Sequence, residues 1–182
     1  MTPLPFMPPA RPRLTLELAL SRVAVPVNLA EVTVLGFRGY YHPDENNNER
    51  GKYDDAVVIV APGHFSTYNF NADPSVHRQG IATLMAGDWR YKPGIHGLSK
   101  PVPQQYEAFV QAGPVQVRRD GGVTESGWFG INIHRGGVRG TSSLGCQTLP
   151  AGQWDAFRAA LLDQLRRAKQ KTFRYLLTDK PA

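Results

Sequence analysis

Cysteine is the scarcest chemistry in this chain of 182 residues: Cys146 is alone. A single thiol excludes an internal disulfide framework and a multi-thiolate zinc site. Long apolar runs are missing too, since no stretch approaches the roughly 18 consecutive apolar residues of a membrane-spanning helix. Acidic residues are in the minority, Asp+Glu 15 against Lys+Arg 21, for a net charge of +6. With 41% hydrophobic and 20% charged residues, the composition excludes an intrinsically disordered chain and a coiled coil. The opening stretch MTPLPFMPPARPRLTLELALSRVAV lacks the uninterrupted apolar core of an export signal, because prolines come first and Glu17 breaks the run that follows. We read residues 1–13 as a flexible Pro-rich leader, residues 15–22 as a short helix, and residues 14–182 as one domain. The expectation is synthesis in the cytoplasm without an export signal of its own.

Glycine and proline, by contrast, are abundant. Gly 18 and Pro 15 make up about 18% of the chain against a background of roughly 12%, which favours a strand-rich fold with many turns. Strands are expected at residues 32–37 (VTVLGF), 56–60 (AVVIV), 65–70 (FSTYNF), 114–118 (PVQVR), 128–134 (WFGINIH) and 172–177 (TFRYLL), each rich in β-branched or aromatic residues. RDGG at 119–122 signals a hairpin, and HPDENNNERGK at 42–52 reads as a polar loop without a packed face. The segment QQYEAFVQAG fits a short helix or a strand equally. One helix stands out over residues 151–169, where Trp154, Phe157, Leu161, Leu165 and Ala168 form a stripe and the last turns are basic.

The chemistry concentrates in GWFGINIHRGGVRGTSSLGCQTLP, residues 127–150. A strand ends in His134, a Gly-rich loop follows, and Thr141-Ser142-Ser143-Leu144-Gly145-Cys146 leads into the long helix. A thiolate nucleophile needs a base or cation nearby, and acyl transfer needs backbone N–H groups aimed at the developing oxyanion. Glycine before the cysteine allows a sharp turn that presents the sulfur.

His134 followed by Ser143-Leu144-Gly145-Cys146 resembles the signature of the YkuD-type L,D-transpeptidases. The resemblance covers about 20 residues, with looser similarity around AGDWRYKPGIHG, where it implies a Pro-Gly turn and a following strand. It implies a mostly β fold, a YkuD-like sandwich or flattened barrel with one major C-terminal helix. It also implies acyl transfer or hydrolysis on peptidoglycan stem peptides, through a thioester and without metal or cofactor. Cys146 would be the nucleophile, His134 its base, and Ser143 and Gly145 the residues shaping the nucleophile loop. The Arg135 carbonyl would orient the imidazole, and the amides of Gly145 and Cys146 would form the oxyanion hole. Leu144 stands where the family commonly has a second His, and Gln147-Thr148 where it has a hydrophobic-Arg pair. Arg139 is therefore expected to read the substrate carboxylate, with Arg135 next, and His96 and Tyr91 to line the pocket. The lack of an export signal suits a wall enzyme that is delivered, of the phage-encoded or toxin-like kind.

Other readings have less support. His64 and His96 invite a zinc centre with His134, but no HExxH or HxH spacing accompanies them. The basic balance suits an anionic partner, yet no helix-turn-helix or clustered basic stripe marks a nucleic-acid binder. Papain-like and NlpC/P60-like proteases usually carry Cys before His, the reverse of the order here. A catalytically inactive wall-binding or virion module remains the alternative from a different class.

Overall fold

Apolar residues at successive positions, as in VTVLGF and AVVIV, suit strands covered on both faces. The computed structural model describes residues 6–42 and 48–179. In chain order its elements are α1 (Leu16–Ser21), β1 (Thr33–Phe37), β2 (Asp55–Ala61), β3 (His64–Phe70), β4 (Ala82–Leu84), β5 (Gly87–His96), a 3-10 turn (Val102–Gln104), β6 (Tyr106–Gln111), β7 (Val115–Arg119), β8 (Thr124–Gly127), β9 (Ile133–Arg135), β10 (Gln147–Leu149), α2 (Ala151–Arg167) and β11 (Phe173–Thr178). Eight strands form one sheet in the order β10-β9-β6-β5-β11-β1-β2-β3, and β4-β7-β8 form a second. Asn71, just beyond β3, exchanges backbone hydrogen bonds with Thr148 of β10 at 2.9 and 2.8 Å, so the large sheet nearly closes on itself. The fold is thus mostly β, barrel-like, with one main C-terminal helix.

The double coverage explains the sequence runs. Val34, Val57, Ile59, Phe173 and Tyr175 point into the main core beneath α2. Their neighbours Leu35, Ala56, Val58, Val60 and Leu176 belong to a second core under Leu14 and Ala19 of the α1 region. Helix α1 is capped by Thr15, whose Oγ1 accepts from the Leu18 N–H at 3.1 Å. Helix α2 buries Trp154, Phe157, Leu161 and Leu165, with Phe157 edge-on to Tyr68 at 5.3 Å and to Phe109 at 5.9 Å.

Several expectations need correction. Residues 6–13 are seated on the domain and do not hang free. The Phe6 carbonyl accepts from the Tyr53 N–H, the Ala10 carbonyl from the Tyr41 hydroxyl, and the Pro12 carbonyl from the Thr67 hydroxyl. The polar loop is anchored at its described end, where Arg50 grips Asp120 with two bonds of 2.7 Å; residues 43–47 lie outside the described residues, as do 1–5 of the leader. Pro93-Gly94 makes no turn but lies within the continuous strand β5. Proline is tolerated there because β11 pairs with β5 only up to Tyr91, leaving β6 as the one neighbour at Pro93. QQYEAFVQAG supplies strand β6. Finally, of the expected strand 128–134 only residues 133 and 134 are strand, the observed element being Ile133–Arg135. Gly130 has φ of 70°, and the Gln111 side chain takes up the backbone, accepting from the Phe129 and Ile131 N–H groups at 3.1 and 3.0 Å.

Candidate active site

The parallel pairing of β9 with β10 sets Ile133 beside Gln147 and His134 beside Thr148. Cys146, immediately before β10, and His134, on β9, are therefore brought together by the turn that precedes Cys146. Gly145 makes that turn at φ 130°, and a side chain at this position would meet the Ala82 carbonyl oxygen at 2.5 Å. Ser143, 2% exposed, staples the turn. Its hydroxyl donates to the Cys146 carbonyl at 2.6 Å and accepts from the Gly145 N–H at 3.0 Å. Ser75 fixes Ser143 in turn, its hydroxyl accepting from the Ser143 N–H and its own N–H donating to the Ser143 carbonyl, both at 2.8 Å.

Cys146 is half-buried. Its sulfur accepts from the Asn132 N–H at 3.4 Å and donates to the Gly130 carbonyl at 3.5 Å. His134 is 3% exposed, and its Nδ1–H donates to the Arg135 carbonyl at 2.7 Å. Because a carbonyl can only accept, this bond assigns the proton to Nδ1 and leaves the Nε2 lone pair available as base. The Tyr106 hydroxyl lies 2.9 Å from the same Nδ1. A ring nitrogen of His134, one of His96 and the Cys146 sulfur all lie within 4.8 Å of one another. The two imidazoles stack at 4.1 Å with 28° between planes, and the Asn132 amide meets His96 Nδ1 at 3.0 Å.

The electrostatics hold the pair neutral at rest. Burial, then the neighbouring His96, push the His134 imidazole down to about 4 from its usual 6.5, against the Arg135 carbonyl bond that favours the charged form. Burial raises the Cys146 thiol, opposed by the Asn132 N–H and the positive charge of Lys100. Burial and Lys100 also lower His96. The site opens into a cleft of about 980 Å³ whose lining includes Ile95, Leu98, Lys100, Trp128, Phe129 and Leu144 besides the cluster itself. Trp128 and Leu144 are exposed at its mouth, 67% and 65%.

Of the residues singled out in the sequence, Cys146, His134, His96, Ser143, Gly145 and the Arg135 carbonyl come together. Four expectations do not hold. Tyr91 is fully buried among Phe173 and Tyr175 and donates to the Ile131 carbonyl at 2.9 Å; it braces the site from behind and lines no pocket. Arg139 is exposed on the 135–140 loop and does not border the cleft, because the Tyr53 hydroxyl, donating to the Gly137 carbonyl at 3.2 Å, holds that loop aside. The Arg135 side chain likewise leaves the cleft and lies 5.8 Å over Tyr106. The Gly145 amide is already spent on Ser143, which leaves the Cys146 amide of that pair for an oxyanion. Gln147, at the position after the cysteine, is buried, its amide group donating to the Ala72 carbonyl and accepting from the Tyr175 hydroxyl.

Tyr106, Asn132 and Lys100 escaped the sequence reading. No local motif marks them, since pairing of β6 with both β5 and β9 is what gathers them. His96, His134 and Cys146 also form a possible His₂Cys metal-ligand set. His64 is no part of it, lying at the β2–β3 turn with Nε2 2.9 Å from the Ser66 hydroxyl. Comparison with known proteins returns no matching family model, no matching curated protein and no matching solved structure.

Proposed function

We propose that the chain is a cysteine acyltransferase of the L,D-transpeptidase type that works on peptidoglycan stem peptides. The observation that carries this reading is the lone thiol lining a large cleft, within 4.8 Å of a ring nitrogen of a buried histidine that is fixed through Nδ1 on a carbonyl. That is the nucleophile, base and orienting group of acyl transfer.

The steps follow from the protonation states. His134 Nε2 takes the thiol proton as sulfur attacks the amide carbonyl of the donor. The carbon–oxygen π pair becomes an oxyanion facing the Cys146 N–H. When the tetrahedral intermediate collapses, the carbon–nitrogen bond breaks, the His134 proton passes to the leaving amine and a thioester remains. An acceptor amine or water then attacks the thioester, giving its proton to His134, and the thiolate departs and is reprotonated. The test is mass spectrometry of purified muropeptides incubated with wild type and Cys146→Ala. New cross-linked, exchanged or trimmed stems with wild type alone support the reading, and identical profiles refute it.

The burial that keeps the thiol protonated favours a second reading, a wall-binding module without turnover. That reading predicts sedimentation with insoluble wall material and no product.

A further inference from the structure

Several cations of this protein are ion-paired. Arg38 is held by Asp73 and Asp179, Arg50 by Asp120, Arg119 by Glu125, Arg158 by Glu107 and Arg174 by Asp88. The cleft over Cys146 is distinguished by the sign of its charge. Lys92 and Lys100 line it, no Asp or Glu does, and among the described residues neither lysine forms an ion pair. A cleft that collects cations and excludes carboxylates focuses positive potential where its ligand must sit.

Of the two lysines, Lys100 is the one whose stem is fixed, over the glycine that follows His96. The chain turns at Gly97, φ 79°, and the Lys100 N–H closes the turn on the Gly97 carbonyl at 2.8 Å. The Lys100 stem folds back over Gly97 so closely that a side chain there would meet its Cδ at 3.3 Å. Pro101 and a donor bond from the Gln105 amide to the Lys100 carbonyl, 2.9 Å, fix the far side. The ammonium charge of Lys100 acts on His96, His134 and Cys146 alike.

Resting on the reading of Cys146 as the acyl-accepting nucleophile, we infer that the cleft takes a donor with a carboxylate beside its reacting carbonyl, and that Lys100 reads that carboxylate. The group is the donor's free terminal carboxylate, carried one residue beyond the bond that is broken. The exposed apolar side chains at the rim, Leu98, Trp128 and Leu144, would cover the uncharged body of the same ligand and dry the ion pair, which strengthens it. Lysine acts here as a compact point charge, so the site senses charge more than the planar geometry a guanidinium would impose.

Because Cys146 is the only thiol, two small alkylating reagents of similar shape and different charge probe the local field directly. Iodoacetate carries a carboxylate and iodoacetamide does not. The ratio of their rates at Cys146 cancels any change in thiolate fraction. In Lys100→Gln the ratio of iodoacetate to iodoacetamide should fall about three- to tenfold relative to wild type, as expected for one charge at short range in partly solvated surroundings. Lys100→Arg should restore most of it, Lys92→Gln should leave it within about twofold, and high salt should shrink the contrast. Lys100 is exposed, so these variants fold. In turnover, Lys100→Gln should raise KM at least about fivefold for a tetrapeptide donor with a free terminus and leave the C-terminally amidated donor unaffected.

A ratio unchanged in Lys100→Gln overturns the inference, as does a fall produced by Lys92→Gln instead. Native protein that neither reagent alkylates overturns it as well, since the nucleophile would then be inaccessible. If the ratio falls as expected but wild type turns over no stem peptide, the carboxylate pocket stands and the wall-peptide reading alone fails. A fall in ratio with equal KM effects on free and amidated donors places the carboxylate elsewhere on the donor and overturns the terminal assignment.

Discussion

Replacing Ser143 by alanine removes one hydroxyl that satisfies two backbone groups at once. The Gly145 N–H is buried and its bond to Ser143 Oγ is 3.0 Å, so in Ser143→Ala it is left without a partner, at a cost of about 1–3 kcal/mol. The Cys146 carbonyl, which receives the 2.6 Å bond, belongs to a half-buried residue that water can rehydrate, so its loss adds only about 0.5–1.5 kcal/mol. The sum is about 1.5–4.5 kcal/mol, and at roughly 2–4 °C per kcal/mol for a domain of this size the melting temperature falls by several degrees or more. Urea unfolding followed by circular dichroism measures it, with Ser126→Ala on the exposed strand β8 as a control expected within about 0.5 kcal/mol. Loosening the turn also moves Cys146 off its bond to the Asn132 N–H, so its alkylation rate should change in the same variant. A loss below about 0.5 kcal/mol with unchanged alkylation would show that Ser143 does not hold the nucleophile turn.

The other predictions concern the base, its titration and metals. His134→Gln should lower turnover by about 10²–10⁴, the worth of a positioned general base, with labelling of Cys146 by iodoacetamide slowed near neutral pH; unchanged rates would move the base to His96. His134 binds its proton more weakly folded than unfolded, so between pH 6.5 and about 4 the unfolded chain holds more protons and stability falls as pH is lowered. For this nearly buried ring the loss is on the order of 3 kcal/mol, read as the difference between wild type and His134→Gln in urea at pH 7 and pH 4. The difference matters because Asp54, raised to about 6 mainly by burial, contributes with the opposite sign in both proteins. Exhaustive chelation should leave turnover intact, and loss with EDTA followed by recovery with zinc would instead establish the His96, His134, Cys146 set as a metal centre.

Part of the fold was readable because strands such as β1 and β2 are apolar on both faces, a pattern that needs no partner to be recognised. Strands β4, β8 and β10 were invisible for the opposite reason: three or four residues each, and in β8 fully polar (TESG), they exist only through pairing. Strand β5 was masked by Pro93-Gly94, a turn signal in isolation that its edge-like environment overrides. The juxtaposition of Cys146 with His134 was legible from their local motif. Arg139 was misplaced because a Gly-rich loop says nothing of the direction it folds, which the Tyr53 hydroxyl decides. Tyr91 reads like any pocket aromatic until β5 is set between β6 and β11 and its ring turns inward. Lys100 carries no motif and gains its significance only from a cleft without carboxylates.

The central claim is that the donor's acyl group passes through a covalent bond to Cys146, and intact-protein mass spectrometry after brief incubation with a stem tetrapeptide measures that bond. The account predicts a wild-type species heavier by the donor minus its terminal D-alanine, mapped to the peptide holding Cys146, discharged by an added amine and absent from Cys146→Ala. A wild-type protein that turns over the tetrapeptide without ever gaining that mass, or a Cys146→Ala variant within about tenfold of wild-type rate, a barrier change near 1.4 kcal/mol, would contradict it.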